Sequence, residues 1–221
     1  MAKLWVFGDS FSDMPQTGME HSWQNLLANK LKITEIENRA SPGVSNDWIF
    51  YTVTSNINNL TGDDYVVIQT TQKHRQWFFQ DQPTISNYWI KDFERFVTPD
   101  QSKAVDMYAE HLQSDLIDDI RWTQFSLALE RLTRLVDTNI LILPGFNSVN
   151  GVIGTLLEVS DSEFINQDNI KQYFYSNQGI DPRNNHLSTE NHKILAEKIF
   201  NFFSNNEMID LTTGFKKQFL K

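Results

Sequence analysis

A serine, a histidine and a carboxylate can together activate a hydroxyl, and this chain places all three where they could converge. Ser10 lies in Gly8-Asp9-Ser10-Phe11-Ser12, directly after the apolar run Leu4-Trp5-Val6-Phe7. Far downstream, Asp181-Pro182-Arg183-Asn184-Asn185-His186-Leu187-Ser188 supplies an acid and a base. A serine hydroxyl is a weak nucleophile near neutral pH, so it needs a base to take its proton and a third group to orient that base. The chemistry to expect is attack on an acyl carbon. Taken alone, Gly-Asp-Ser is also ordinary turn chemistry, since all three residue types favour turns.

The elements that would position these residues follow from patterning. Residues 4–7 form a short apolar run ended by Gly8, which reads as a buried parallel strand entering a loop. Open α/β sheets bind ligands beyond the carboxyl ends of their strands, where this loop would carry Ser10. A second strand-like run, residues 33–36, leads into Asn38-Arg39-Ala40-Ser41-Pro42-Gly43-Val44-Ser45-Asn46 and then a helical pattern from Asp47. A glycine between strand and helix, here Gly43, can present its backbone N–H to an oxyanion. Further runs at 65–69 and 139–143 read as strands, and the second ends in Pro144-Gly145-Phe146-Asn147, a loop expected near the same site. Helical spacing of Trp23, Leu26, Leu27 and Leu31 predicts a helix over 22–31 with Ser22 as N-cap. An amphipathic helix carrying Ile194, Leu195, Ile199, Phe200 and Phe203 follows Ser188. Strands alternating with helices predict an α/β sandwich with a parallel sheet.

Together these segments resemble the SGNH, or GDSL-type, hydrolase family: the first block at residues 8–12, the second at 38–46 with Gly43 as the family glycine, and the last around His186. The resemblance implies an α/β fold, a three-layer α/β/α sandwich with a five-stranded, mostly parallel sheet, and ester hydrolysis. It implies Ser10 as nucleophile, His186 as base, and the backbone N–H groups of Ser10 and Gly43 as two of three oxyanion donors. The family's third block, Gly-x-Asn-Asp, is replaced here by Gln69-Thr70-Thr71-Gln72-Lys73-His74-Arg75. Gln72, with the same amide on a longer stem, or the hydroxyl of Thr71 could stand in for the missing asparagine. Loss of one such donor costs about 10²- to 10³-fold in kcat. Asp9 belongs to the same expected oxyanion and substrate-binding group. The family acid stands three residues before its histidine, where this chain has Arg183, so Asp181 is the expected third member across a turn favoured by Pro182.

Composition sets bounds. With 221 residues the chain matches one domain of ordinary size, able to bury a full core. There is no cysteine, which excludes disulfides and thiolate metal sites. A net charge of −9 argues against a nucleic-acid surface. No apolar run reaches the length of a membrane span, and no signal peptide is recognisable at the start, so cytoplasmic synthesis is expected. The histidines, His21, His74, His111, His186 and His192, show no metal-binding spacing, so neither metal nor other cofactor is expected. His192 reads as a packing or capping residue.

Residues 77–136 read as a helical, aromatic-rich insertion. Phe78, Phe79, Tyr88, Trp89, Phe93, Phe96 and Tyr108 are interspersed with polar and acidic residues, and 102–136 reads as one long or two broken helices. Met107, His111, Asp115 and Asp118 fall at helical spacing. The segment packs an aromatic stripe on the sheet, or it caps the site and suits a sugar ring. The form Arg-x-Asn-His-Leu-Ser-x-x-Asn-His over 183–192, with the altered third block, resembles SGNH-type proteins of tailed bacteriophages. That resemblance implies an acylated carbohydrate or other small ester as substrate, or a virion component that keeps the fold without the chemistry. A second copy of the chain or a phage structural protein is the macromolecular partner to expect. The stretch from Met208 to the basic end at Lys221 reads as local packing or a partner contact.

Overall fold

The computed structural model describes residues 1–14, 19–78, 98–159 and 187–216. Its centre is β1 (Leu4–Phe7), which pairs in parallel with β2 (Ile36–Asn38) on one side and β3 (Tyr65–Gln69) on the other. β4 (Asn139–Leu143) continues the sheet beyond β3, giving the order β2-β1-β3-β4, all parallel. This sheet has four strands; the fifth expected from the family resemblance is not among the described residues. A separate pair, β5 (Val152–Ile153) and β6 (Ile209–Asp210), ties the segment after β4 to the end of the described chain. In the stretch from Met208, Ile209 and Leu211 are buried, and residues 217–221 lie outside the described residues.

Side chains alternate across the pleat, so successive residues of β1 feed two different cores. Leu4 and Val6 face α1 (Trp23–Leu31) and α6 (Thr189–Asn205), joining Trp23, Leu27, Val67, Leu141, Leu195 and Ile199. Trp5 and Phe7 face α2 (Asn46–Asn56) and α4 (Asp115–Leu135), joining Ile49, Val53, Val66, Ile68, Phe125 and Leu129. The result is three layers, with helices on both faces. Both faces being covered explains why the strands read as uninterrupted apolar runs.

Helix ends follow local chemistry. Ser22, Ser45, Ser114 and Ser188 cap α1, α2, α4 and α6, each accepting from the backbone N–H three residues on. His192 adds a cap between helices, for its Nδ1 accepts from the Trp23 N–H at 3.2 Å, which places its own proton on Nε2. The 102–136 stretch is two helices, α3 (Pro99–His111) and α4, separated at Ser114, so Met107, His111, Asp115 and Asp118 do not share one helix face. The second strand is displaced from its expected position. Lys32 adopts the left-handed conformation that ends α1, and Ile33 N–H bonds back to Ala28, so pairing begins only near Ile36. Of the 77–136 region, residues 79–97 lie outside the described residues. No helix among the described residues is long and apolar enough to cross a membrane. A last short helix, α5 (Leu156–Val159), starts at the Pro144 and Gly145 carbonyls, which accept from Leu156 and Leu157 N–H.

Candidate active site

The strand order reverses direction at β1: the chain goes from β1 outward to β2, then returns to β3 on the other side. Such a switch point leaves a crevice beyond the carboxyl ends of β1 and β3, where α/β proteins place ligands. Four loops meet there, namely 8–13 after β1, 39–45 after β2, 70–76 after β3 and 144–147 after β4.

Ser10 stands in the first loop, partly exposed. Asp9 builds the turn that presents it. The Asp9 carbonyl accepts from Ser12 and Asp13 N–H, and its Oδ1 accepts from Phe11 N–H at 3.0 Å. This is an Asx-type turn closed around Ser10. The far end of the turn is pinned by two amides, Gln24 Nε2 and Asn38 Nδ2, both donating to the Ser12 carbonyl. Ser10 makes no hydrogen bond to another described residue.

Asp9 itself is fully buried, and both of its oxygens are occupied. Its Oδ2 accepts from Thr71 Oγ1 at 2.6 Å and from Arg75 Nη1 at 3.0 Å. Asp9 therefore shapes the turn from below. Thr71 commits its hydroxyl hydrogen to that carboxylate, so of the two stand-ins expected for the asparagine, Gln72 is the one whose side-chain N–H donates to no other described residue. Burial lowers the Arg75 guanidinium from its ordinary value, and the adjacent Asp9 carboxylate works in the opposite sense. Paired and hydrogen-bonded in this way, two charges can stay inside a protein.

The second loop is tied to the first where Ser41 N–H donates to the Gly8 carbonyl at 3.0 Å. Gly43 has φ 74°, the left-handed region that favours glycine, and turns the chain into α2. Asn46, in the first turn of α2, reads the third loop like a strand partner. Its Oδ1 accepts from Thr71 N–H at 2.8 Å and its Nδ2 donates to the Thr71 carbonyl at 3.1 Å. The fourth loop joins through Phe146, which lies edge-on to Phe11 and under the Arg75 guanidinium, 5.3 Å from the ring centroid.

Gln69 locks this layer. Its buried side chain accepts from Asp9 N–H through Oε1 and donates to the Thr70 carbonyl through Nε2. It fills the space between Gly8 and Gly145: a Cβ on Gly8 would stand 2.6 Å from Gln69 Oε1.

His186 and Asp181 lie outside the described residues. The chain resumes at Leu187, which is buried in the same apolar cluster as Phe11, the residue after Ser10. Next along the third loop, His74 lines a groove of about 590 Å³ with Asp106, Glu110, Gln113, Asp115 and Asp118. Burial lowers the His74 imidazole from its ordinary value, and the neighbouring Arg75 pushes the same way. Among the described residues no group of three or more potential ligands could hold a metal.

Asn46, Gln69 and Arg75 escaped sequence reasoning. Arg75 had one available signal: an aspartate beside a buried strand end needs a cation, and Arg75 is the arginine in the altered third block. The other two offered none, because their partners are backbone groups brought close only by the fold.

No family model matches the chain, and no curated protein matches it. Among solved structures, it is similar to a protein assigned to the G-D-S-L lipolytic family from Desulfitobacterium hafniense DCB-2, at 16% identity and a TM-score of 0.39, covering 89% of this chain and 97% of that one. It is also similar to a member of the lipolytic protein G-D-S-L family from Veillonella parvula DSM 2008, at 7% identity and a TM-score of 0.35, covering 96% and 77%. Both are remote likenesses.

Proposed function

We propose that this chain is a serine esterase that removes an acyl group, an O-acetyl group first among them, from a carbohydrate or another small acylated substrate. The observation that carries this reading is the position of Ser10. It is partly exposed, on a turn fixed by a buried aspartate, at the switch point of a parallel sheet.

In the reaction Ser10 Oγ attacks the ester carbonyl while His186 takes its proton, and Asp181 orients the imidazole. The carbonyl oxygen gains the negative charge and is held by the backbone N–H groups of Ser10 and Gly43 and by the Gln72 amide. The tetrahedral carbon then expels the alcohol, which receives the proton from His186. Water attacks the acyl-enzyme by the same route in reverse, releasing the carboxylic acid and restoring Ser10. A carbohydrate is favoured by the groove beside His74, whose carboxylates and amide suit sugar hydroxyls.

A second reading, a catalytically weakened component of a phage virion on the same fold, is favoured by one observation, the absence of Gly-x-Asn-Asp after β3. The two readings separate on hydrolysis of p-nitrophenyl acetate at neutral and mildly alkaline pH. The esterase reading expects Ser10→Ala to cut turnover by about 10³-fold or to background with an unchanged thermal melt. Equal turnover in both proteins would remove Ser10 from the mechanism, and no turnover in either would favour the virion role.

A further inference from the structure

One side chain touches all four loops of the crevice. Arg75 donates through Nη1 to Asp9 Oδ2 in the first loop at 3.0 Å and to the Val44 carbonyl in the second at 3.4 Å. Through Nε it donates to Gln72 Oε1 in its own loop at 3.0 Å, and its plane lies over Phe146 in the fourth. Its side chain is only 9% exposed.

The contact with Gln72 has a chemical consequence. A guanidinium carries donors and no acceptor, so the amide group it meets must present its oxygen. The orientation of the Gln72 amide is thereby forced: oxygen toward Arg75, and the NH₂ end left to donate elsewhere. A cation on the oxygen also polarises the amide and strengthens its N–H as a donor. The guanidinium fork is rigid, so the same group that fixes Asp9, and with it the Ser10 turn, fixes the direction of Gln72.

We infer that Arg75 is a positioning residue for the oxyanion site, holding Gln72 so that its Nε2 serves as the third donor in place of the absent asparagine. The inference rests on the serine-esterase reading. Arg75 does not touch the substrate; it acts through Gln72.

The test is a double-mutant cycle on p-nitrophenyl acetate hydrolysis, with Ser10→Ala as the blank. Gln72→Ala lowers kcat by about 10²-fold with little change in KM, as expected for a donor used in the transition state. Arg75→Lys keeps a cation beside Asp9 but cannot serve both partners through a fork, and lowers kcat by about tenfold. In the Gln72→Ala background the same Arg75→Lys change has no further effect on kcat, which a merely structural role would not produce. Equal losses from Arg75→Lys in both backgrounds, or wild-type kcat in Gln72→Ala, overturn the inference. Gln72→Glu covers the case in which Arg75→Lys does not fold. It keeps an oxygen for Arg75 yet has no N–H, so kcat falls as in Gln72→Ala while the melt is retained; wild-type kcat there overturns the inference as well. Absence of Ser10-dependent turnover in the wild type removes the esterase reading and this inference with it. Ser10-dependent turnover that survives the loss of Gln72 removes the inference alone.

Discussion

Asp64 illustrates how backbone donors govern a buried carboxyl. It is 1% exposed. Burial alone would raise its pKa, but N–H groups of Thr61 and Lys3 and the Trp5 indole donate to it and hold it below the ordinary 3.8. Because the folded-state value lies below the unfolded one, this stabilisation is complete above the ordinary carboxylate range. It is lost as pH falls through 3.8 toward the folded value. Asp64→Asn is expected to cost about 1–3 kcal/mol at neutral pH and to flatten the acid limb of stability, read by urea unfolding at a series of pH values. An acid limb as steep as that of the wild type would show that Asp64 contributes nothing to it. At this scale legibility in the sequence depends on separation. Ser22 and Ser188 are readable as caps because each acts three residues along the chain. The Asp9–Arg75 pair spans 66 residues, so the need of Asp9 for a cation is readable but no local pattern joins it to Arg75. The same limit applies to Ser10 and its expected partners: the residue types were visible, whereas Asp9 as turn-former and Thr71 as its donor required the fold.

Among the elements, β1, β3 and β4 were legible to the residue, since a strand buried on both faces shows as a bounded apolar run. β2 was misplaced because Ile33, apolar and β-branched, belongs to the exit of α1 and not to the sheet. The carboxyl edge of β3 and β4 holds a constraint that no run of residues shows: Gly145 packs against Gln69 and the Thr70 backbone so closely that a Cβ there would run into the Thr70 carbonyl. The obstructing atom is backbone, so it cannot swing aside. Gly145→Ala is expected to destabilise by about 1–3 kcal/mol, measured by chemical denaturation, and to disturb Phe146 and the Arg75 contact beside it. A variant as stable as the wild type would mean that β4 shifts freely past β3.

At the scale of the whole molecule the α/β class was readable from alternation of strand and helix patterns, and the layering from how completely both faces of the sheet are covered. The two cores are separate, one under α1 and α6 and the other under α2 and α4. Leu195, fully buried on α6, shares its cluster with residues as far back in the chain as Leu4 and Val6. Leu195→Ala is expected to cost about 2–5 kcal/mol by urea denaturation; a loss below 1 kcal/mol would mean that α6 collapses into the gap it leaves. The central position of β1 also bears on synthesis. Its neighbours in the sheet are β2 and β3, β3 needs β4, and the face carrying Leu4 and Val6 is covered by α1 together with the much later α6. A ribosome therefore emits the serine turn well before α6, with many residues of waiting between. Parallel pairings of this separation form slowly and leave apolar surface uncovered meanwhile. The nascent chain therefore carries the Ser10 turn long before α6 can cover the core beside it.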